Sequence, residues 1–372
     1  MQGILTHSEI DALMAGGAIG AAAPIDPTQV QPTSLDLRLG PVAYRIRAGF
    51  LPARTPVQDR LADLTLCELD LSAGAVLEPG LIYLVPLLET LALPNDLRGR
   101  LNPKSSTGRL DIFTRVITDH NARFDWVPPG YHGPLFLEVV PRSFPVLVRS
   151  GQRLNQIRFV RGNARLTDSE HLAAQREHGL VRHGDGSAVP ADEVVVDGGF
   201  YLRVALKGAK PDDVVGYRAK RYTGAIDLDG VGQHDPAAFF EPLTSKNGRM
   251  ILEPEEFYIF ASRERISIPP TLASEMSAVD VGIGELRTNY AGFFDAGFGW
   301  DEAGTRLGTP AVLEVRAHDV PFVIEDGQTF FRLEFSRTTS ACERIYGATG
   351  ATGATSHYAD QGVTLAKQFR RG

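Results

Sequence analysis

The fold of this chain is decided by LEPGLIYLVPLLETLALPNDL (77–97), because the same pattern returns later as LEPEEFYIFASRERISIPPTL (252–272). The two stretches align without gaps at an offset of 175 residues. A second pair, LEVVPRSFPVLVRSGQRLNQIRF (137–159) and LEVRAHDVPFVIEDGQTFFRLEF (313–335), aligns in the same order at an offset of 176. Self-similarity at a fixed spacing indicates a repeated structural unit. The sequence therefore predicts two copies of one domain.

The residues within and around these blocks are typical of short β-strands. Between residues 61 and 160 the chain makes apolar runs separated by turn residues, and it shows no long amphipathic helix. The 38 glycines and 24 prolines favour many turns. Upstream, Leu35, Leu37 and Leu39 alternate with polar residues, which predicts a half-buried strand that ends at Gly40. We expect a mainly β fold of two tandem antiparallel β-barrels of distorted jelly-roll type, with few short helices.

One short helix is predicted near the N-terminus, over residues 8–15. Ser8 is expected to cap it, since serine is favoured at the N-cap. Ile10, Leu13 and Met14 fall at helical spacing on one face.

The repeat places the first domain at residues 1–225 and the second at 226–372. A polar stretch at about 161–195 joins the two copies. The strand-like FYLRVAL (200–206) and a Lys/Arg/Tyr segment near 217–224 are assigned to the first copy. The second copy ends in a polar tail.

Composition excludes several classes of partner. The net charge of -7 gives no basic surface of the kind that binds nucleic acid. No apolar run approaches the roughly 18 residues of a membrane-spanning helix, and the N-terminus does not resemble a signal peptide. Cys67 and Cys342 are too few for a disulfide framework and suit a reducing compartment. We expect a cytoplasmic protein with no membrane or nucleic-acid partner.

The segment PKSSTGR concentrates hydroxyl groups and cations. Lys104, Ser105, Ser106 and Arg109, together with backbone N–H groups freed by Gly108, suit the oxygens of a phosphate. The segment is not a Walker loop, because G-x-x-x-x-G-K-[ST] is absent. The alternative is an ordinary Ser/Thr/Gly turn with solvated cations.

Glu138 is a lone carboxylate in an otherwise apolar strand, between Leu137 and Val139. Its neighbours point one way, so Glu138 points the other way, toward solvent or toward a pocket. In a pocket it can act as general base and acid. A surface-facing strand glutamate is the alternative. Its recurrence as Glu314 is compatible with either function or fold maintenance.

The two copies differ between the matched blocks. Where the first copy has PKSSTGR, the second has SEMSAVDVGIGELR. Glu138 recurs as Glu314 and Asp125 as Asp295, whereas Arg123 aligns near Phe293. One complete site per chain, in the first copy, is therefore expected.

Motifs of metal and nucleophilic catalysis are missing from the sequence. It lacks H-x-E with P-C-x-x-C, H-E-x-x-H, and the G-x-S-x-G elbow, so no zinc site is predicted. A Mg²⁺ ion carried by substrate phosphates needs little dedicated protein ligation.

Four stretches resemble the dCTP deaminase family of the dUTPase-like superfamily. GILTHSEIDALMAGGAI is similar to its N-terminal helix, QPTSLDLRLG to its first strand, and KSSTGRL to its phosphate-binding R-S-S-x-x-R segment. ARFDWVPPGYHGPLFLEV is similar to its R-x-D-P-G…L-E segment. The doubled length resembles the long, tandem form of the enzyme.

The resemblance implies roles for individual residues. Glu138 matches the family's catalytic glutamate, which takes a proton from water so that hydroxide attacks C4 of cytosine, without zinc. Loss of ammonia then turns dCTP into dUTP, a step of pyrimidine deoxynucleotide synthesis. The implied substrate-binding residues are Lys104, Ser105, Ser106, Thr107, Gly108 and Arg109 at the triphosphate, Arg123 and Asp125 at the base and sugar, Phe136 and Leu137 beside Glu138, and Tyr358 and Gln361 in a tail that folds over the triphosphate.

The resemblance also implies partners. These are the nucleotides dCTP and dUTP, Mg²⁺ bound with the triphosphate, and further copies of the chain, since the family's sites lie between barrels.

Several residues depart from the family pattern. Lys104 stands where the family has arginine, which keeps the charge but loses bidentate geometry. Trp126 and Val127 lengthen the turn after Asp125, and Tyr131 lies near where a dUTPase places its sugar-stacking tyrosine. A bifunctional or plain nucleotide diphosphatase that forms dUMP, and a non-catalytic nucleotide-binding β-protein, therefore stay open as alternatives.

Overall fold

The structure, a computed structural model, confirms a mainly β protein with few short helices. It describes residues 1–210, 212–278, 286–288, 292–300, 307–317, 319–347, 353–354, 358 and 362–371. The helices in these ranges are α1 (His7–Ala15), α2 (Val57–Leu64), α3 (Ser105–Gly108), α4 (Asp168–His178) and α5 (Pro236–Phe239), with a 3₁₀ turn at Pro27–Gln29. None of the described helices is long and apolar enough to cross a membrane.

The strands before residue 164 are, in chain order, β1 (Gly3–Ile4), β2 (Ile19–Ala21), β3 (Leu35–Arg38), β4 (Val42–Ile46), β5 (Thr65–Asp70), β6 (Ala75–Leu77), β7 (Ile82–Ala92), β8 (Leu97–Pro103), β9 (Ile112–Thr118), β10 (Trp126–Val127), β11 (His132–Pro141), β12 (Val146–Val148) and β13 (Arg153–Arg161). The strands after it are β14 (Val181–Arg182), β15 (Phe200–Arg203), β16 (Gly216–Ala219), β17 (Ile226–Asp227), β18 (Phe240–Leu243), β19 (Arg249–Leu252), β20 (Phe257–Ile266), β21 (Leu272–Ala278), β22 (Leu286–Thr288), β23 (Phe293–Phe294), β24 (Thr309–Ala317), β25 (Phe322–Glu325), β26 (Thr329–Arg337), β27 (Ile345–Tyr346) and β28 (Gly353–Ala354).

The chain forms two compact units. Unit 1 comprises Met1–Ala164, Arg221–Asp235 and Ala366–Gly372. Unit 2 comprises Arg165–Lys220 and Pro236–Leu365. The chain therefore leaves unit 1 at residue 164 and returns to it twice.

This division differs from the boundary at residue 225 that the sequence suggested. Strand β15, the core of FYLRVAL, pairs with β26 of unit 2, with Phe200 opposite Leu333. Strand β17 instead adds to β12 of unit 1 as a parallel neighbour, with Ile226 opposite Val146. The polar stretch at 161–195 contains α4 and β14 of unit 2. Pairing between strands far apart in sequence sets these boundaries, and local patterns do not report it.

Unit 1 is built from two larger sheets and a small one. The first has the order β5-β4-β7-β11-β9, with β2 also pairing with β7. The second has the order β1-β13-β8-β10, with β3 also pairing with β13. The third is β17-β12-β6. On β11, Leu135, Leu137 and Val139 share one face and are fully buried, which places that face in the interior.

Unit 2 has sheets of the same kind. One has the order β18-β16-β20-β24-β22, with β14 also pairing with β20, and another has the order β15-β26-β21-β23. The matched sequence blocks fall on corresponding strands, namely β7 with β20, β11 with β24 and β13 with β26. Aromatic and aliphatic side chains such as Phe260, Leu313 and Phe331 form its core.

Helix α1 begins one residue earlier than predicted, and Thr6 rather than Ser8 is its N-cap. The Thr6 N–H donates to the Glu9 carboxylate at 3.1 Å, which is one half of a capping box. Helix α4 has the same capping box, since the Thr167 N–H donates to the Glu170 carboxylate at 2.8 Å. The shared L-T-x-S-E pattern carries this signal in both units.

Strand β3 is buried more deeply than its alternating pattern predicted. Asp36 is 2% exposed and Arg38 is 8% exposed, although a half-buried strand would present both to water. Asp36 pairs with the Lys104 ammonium group, and Nε of Arg38 donates to Glu89 at 2.7 Å. Pairing offsets the cost of removing these charges from water.

Candidate active site

Glu138 lies in the middle of β11, between β7 and β9. Its cross-strand neighbours are Leu84 on β7 and Arg115 on β9. Alternate strand residues share a face, so Glu138 lies on the face of Phe136, which packs in an apolar cluster with Val57 of α2. Glu138 is only 1% exposed. The surface-facing alternative for this residue is therefore wrong.

The Arg115 guanidinium group fixes one oxygen of Glu138. Both Nε, at 2.9 Å, and Nη2 of Arg115 donate to Oε1. The guanidinium also lies 3.8 Å from the centre of the Phe124 ring, which is a cation–π contact. The other oxygen, Oε2, is buried and has no hydrogen-bond partner among the described residues. A Cβ atom on Gly49 would lie 2.5 Å from Oε2, so a residue larger than glycine would displace this oxygen or the loop.

Asp125 belongs to the same electrostatic neighbourhood. It adopts a left-handed conformation with φ of 54°, which aspartate tolerates better than most residues. Its Oδ1 accepts the Val116 N–H at 2.8 Å. Loss of water around the carboxyl group raises the pKa of Asp125 to about 7, and the Val116 hydrogen bond and Arg115 offset only part of that shift. Asp125 therefore changes charge near neutral pH.

Arg123 is exposed and lies against an aromatic ring. Its guanidinium is 5.0 Å from the centre of the Trp126 ring. Trp126 and Val127, which were expected to lengthen the turn, form β10 and pair with Arg100 and Gly99 of β8. The extra residues thus extend a sheet.

The KSSTG segment forms the one-turn helix α3, with Lys104 as its N-cap residue. The Gly108 N–H donates to the Lys104 carbonyl at 3.1 Å. The amide of Gly108 itself is therefore used inside the turn. The Thr107 hydroxyl donates to the Leu154 carbonyl at 2.8 Å, which ties the turn to β13.

A cleft of 540 Å³ opens in unit 1 beside α3, and Ser106 and Thr107 contribute to its wall. The charged residues that line it are Lys104, Arg149, Arg153, Lys367, Asp36 and Asp229. Cations outnumber acids in this lining by four to two. The cleft thus offers positive charge and hydroxyl groups together. Glu138, Arg115 and Asp125 are not among the lining residues.

Three of the six residues predicted at the triphosphate, Ser105, Gly108 and Arg109, lie outside this lining. Arg109 is only 3% exposed, so its side chain is buried within the fold. Ser105 is half-buried and does not line the cleft. The structure thus brings together Lys104, Ser106 and Thr107 of the predicted set.

Tyr131 does not present its ring for stacking. It is 7% exposed, and its hydroxyl donates to the Pro134 carbonyl at 2.6 Å. The same oxygen accepts the Asp119 N–H at 3.2 Å. Burial raises the pKa of Tyr131 above its usual value. The residue therefore fastens the turn before β11.

The remaining predicted residues are buried or lie elsewhere. Phe136 is 1% exposed, and Leu137 is fully buried on the face opposite Glu138. Tyr358 is 7% exposed and belongs to unit 2. Gln361 lies outside the described residues.

Arg115, Gly49, Arg149, Arg153 and Lys367 were missed by the sequence reasoning. FTRVIT carried a signal for Arg115, because alternation puts this cation on one face with two apolar side chains. Its pairing with Glu138 depends on the register between β9 and β11, which the sequence does not specify. Lys367 reaches the cleft only because the C-terminal segment returns to unit 1.

Unit 2 keeps a buried acid at the matching position. Glu314 is 2% exposed on β24, opposite Ile259 of β20. Arg316 shares its face and donates to the Glu255 carbonyl. Half of the stretch that replaces PKSSTGR lies outside the described residues, so the two loops are compared by sequence alone.

Comparisons with known proteins divide the chain near residue 164, where it first leaves unit 1. A family model for the N-terminal domain of 2'-deoxycytidine 5'-triphosphate deaminase matches residues 1–163. A model for the C-terminal domain of the same enzyme matches residues 167–369. The crystal structure of 2'-deoxycytidine 5'-triphosphate deaminase from Agrobacterium tumefaciens is 50% identical, with a TM-score of 0.84, and the match covers 91% of this chain and 99% of that chain.

More distant relatives match about half of the chain. A protein of Acidothermus cellulolyticus, described as "dCTP deaminase, dUMP-forming", is 30% identical over 190 residues, which are 50% of this chain and 94% of the relative. A protein of Mycolicibacterium vanbaalenii with the same description is 32% identical over 160 residues, 42% of this chain and 80% of the relative.

Proposed function

The chain belongs to the family of 2'-deoxycytidine 5'-triphosphate deaminases, and we propose that it catalyses the zinc-independent hydrolysis of dCTP to dUTP and ammonia in pyrimidine deoxynucleotide synthesis. The observation that carries the proposal is the buried carboxylate of Glu138, which is held at Oε1 and unpartnered at Oε2 among the described residues. Such a group can exchange a proton at one defined atom.

Glu138 would act first as base and then as acid. It takes a proton from water while the water oxygen bonds to C4 of cytosine, and it passes that proton to N3. The resulting tetrahedral carbon carries a hydroxyl and an amino group. Glu138 then moves the hydroxyl proton to the amino nitrogen, the C4–N bond breaks, and ammonia leaves a C4 carbonyl. Water and cytosine are thereby converted to uracil and ammonia with no other reactant.

The cleft of unit 1 is the proposed triphosphate site. Lys104, Ser106 and Thr107 provide the cation and hydroxyl groups that the sequence predicted, and Lys367 adds a further cation. Charge-assisted hydrogen bonds to phosphate oxygens are the strong ones, so this lining suits a triphosphate better than a monophosphate. Burial and the neighbouring Lys104 lower the pKa of Lys367, and a bound polyanion would reverse that effect.

Mg²⁺ is proposed to enter with the nucleotide. Within the described ranges, no group of three or more His, Cys, Asp or Glu side chains is arranged to hold a metal ion. The acids that line the cleft, Asp36 and Asp229, form ion pairs with Lys104 and Arg149. A Mg²⁺ ion would therefore be held by phosphate oxygens and water, and it would neutralise part of the triphosphate charge.

A homo-oligomer is proposed because the two parts of the site lie apart in unit 1. Glu138 does not line the cleft that holds Lys104 and Ser106. If one nucleotide contacts both parts, a neighbouring copy of the chain would complete its binding site. We also place the enzyme in the cytoplasm, where its free cysteines, Cys67 and Cys342, would stay reduced.

A second candidate function is a bifunctional reaction in which dUTP is hydrolysed further to dUMP. The relatives described as dUMP-forming support it. The buried ring of Tyr131 does not support it through sugar stacking.

Product analysis tests these proposals. The purified chain is incubated with dCTP and Mg²⁺, and ammonia, dUTP, dUMP and pyrophosphate are measured. Equal amounts of ammonia and dUTP are expected. Ammonia with dUMP and pyrophosphate would favour the bifunctional reaction. Nucleotide binding without ammonia release would overturn the deaminase proposal and leave a binding protein.

A further inference from the structure

We propose that Arg115 is a positioning residue that assigns proton transfer to Oε2 of Glu138, and that residue 49 is glycine because its backbone lies against that oxygen. This inference rests on the proposed deaminase function and deepens it. Neither residue belongs to the segments that resemble the family's site motifs.

The hydrogen bonds of the ion pair are unevenly distributed. An arginine facing a carboxylate commonly donates two parallel hydrogen bonds, one to each oxygen. Here Nε and Nη2 of Arg115 both donate to Oε1 of Glu138. Oε2 is buried and has no partner among the described residues, which is a costly state for an ionised oxygen. Oε2, which lies beside the Arg115 cation and lacks a partner in the described part of the chain, is therefore the atom that would hold and deprotonate a water molecule.

Arg115 is itself held in place. Its guanidinium stacks on Phe124 at 3.8 Å and lies 5.0 Å from the centre of the Phe113 ring. The register of β9 and β11 sets it directly opposite Glu138. Aromatic packing and register together leave it few other orientations. The carboxylate plane is thus fixed before substrate arrives, which is how a positioning residue accelerates a reaction.

Gly49 completes the arrangement. It follows β4 and is exposed, yet a Cβ atom at this position would lie 2.5 Å from Oε2 and 3.1 Å from Nη2 of Arg115. Its φ is not in the left-handed region, so the backbone does not require glycine here. The reason for glycine is the close approach of its backbone to Oε2. A larger residue would push the carboxylate out of the position that Arg115 sets.

Arg115→Met tests the role of the guanidinium, because methionine keeps an apolar stem against Phe124. We expect kcat for ammonia release to fall about 100-fold with little change in KM for dCTP, as for a misplaced reacting group. Arg115→Lys should recover part of the loss, and added guanidinium ion should partly rescue Arg115→Met. The control is Arg218→Met, which removes another cross-strand Arg–Glu pair, with Glu241, on the surface of unit 2.

Gly49→Ala tests the close approach of residue 49 to Oε2 and keeps the inference falsifiable if Arg115→Met does not fold. We expect kcat to fall about tenfold or more, because a methyl group displaces the reacting atoms. Gly224→Ala is the matched control, since a Cβ there meets no atom within 4 Å.

The two proposals fail in distinguishable ways. If the wild-type chain releases no ammonia from dCTP, the deaminase function is overturned. If it does, and Arg115→Met or Gly49→Ala keeps wild-type kcat, only the inference about Oε2 is overturned. A loss of kcat that merely follows a loss of folded protein, with no recovery by Arg115→Lys or guanidinium, would also overturn it.

Discussion

Units 1 and 2 use the same strand order and the same buried acid, but they differ in the charges around it. Glu138 and Glu314 occupy corresponding strands and are 1% and 2% exposed. Only unit 1 has the KSSTG segment, and most of the charged residues that line its cleft are cations. A buried glutamate is therefore not enough to mark a site. The cations and hydroxyl groups distinguish the unit that would do chemistry.

The difference in charge extends to positions away from the cleft. In unit 1 the cross-strand partners Arg100 and Arg158 lie opposite each other on β8 and β13. The corresponding partners in unit 2 are Glu275 and Glu334, on β21 and β26. Like charges directly opposite destabilise a sheet, so each pair needs compensation. Glu334 receives it from Arg332, whose Nη2 lies 2.9 Å away. The sheet framework has tolerated a full inversion of charge.

The largest difference between the units is expected from replacing the two acids in turn. Glu138→Gln should abolish ammonia release, a loss of at least about 10³-fold, because glutamine cannot take a proton from water. Glutamine still accepts hydrogen bonds from Arg115, so the fold and dCTP binding should persist. Glu314→Gln should leave kcat within about twofold of wild type. Steady-state ammonia release and calorimetric binding of dCTP measure both.

Two results would contradict this comparison. Turnover retained in Glu138→Gln would remove the role assigned to that carboxylate. An equal loss in Glu314→Gln, with the fold intact by circular dichroism, would show that the second acid also reacts.

A smaller difference is expected for an ion pair that both units contain. Glu89 in unit 1 is fully buried and accepts from Nε and the backbone N–H of Arg38. Glu264 in unit 2 likewise accepts hydrogen bonds from Nε and the backbone N–H of Arg203, but the Arg203 side chain is 45% exposed. Glu89→Gln should lower the free energy of unfolding by about 3–5 kcal/mol, since it leaves a buried cation unpaired. Glu264→Gln should cost less, on the order of 1–2 kcal/mol, because water still solvates Arg203.

Hydrogen exchange measured by mass spectrometry separates the two effects. Peptides from β3 and β7 report on unit 1, and peptides from β15 and β20 report on unit 2. Equal losses of protection in the two variants would show that exposure of the arginine does not decide the cost.

The sequence predicted the architecture through its repeat and the family through its motifs, and both are confirmed. It could not predict the limits of the units, because β17 and the C-terminal segment join unit 1 through long-range contacts. It also overestimated the exposure of β3, whose Asp36 and Arg38 looked like surface residues until their partners were known. A sequence pattern shows which side chains are polar, but it does not show which oppositely charged residue will pair with them in the fold.

The same limit applied to the site. The lone acid in an apolar strand and the KSSTG segment could be found by residue type alone. Arg115 could not be assigned, because its role depends on strand register. Gly49 could not be assigned either, since the reason for a glycine is the atom that would otherwise be displaced.

The smallest expected difference concerns one helix position, where unit 1 has Ile10 and unit 2 has His171. Both are fully buried and follow the same L-T-x-S-E cap. Nδ1 of His171 donates to the Thr167 carbonyl at 2.9 Å, and Nε2 accepts the Phe335 N–H at 3.1 Å. The ring must be neutral to accept at Nε2, and burial lowers the pKa of His171 below 6.5 despite the Thr167 carbonyl and the nearby Asp168 and Glu334.

A lowered pKa in the folded state fixes the sign of the pH effect. As the pH falls below 6.5, His171 is protonated more readily in the unfolded chain than in the folded chain, so unit 2 loses stability. Stability should therefore fall between pH 7.5 and pH 5.5, because the unfolded chain binds this proton more readily than the folded chain does. His171→Ile should be less stable at pH 7.5, because the Phe335 N–H loses its acceptor, but its stability should depend less on pH. Hydrogen exchange of α4 and β26 at the two pH values measures both slopes, and equal slopes in wild type and variant would show that another group is responsible.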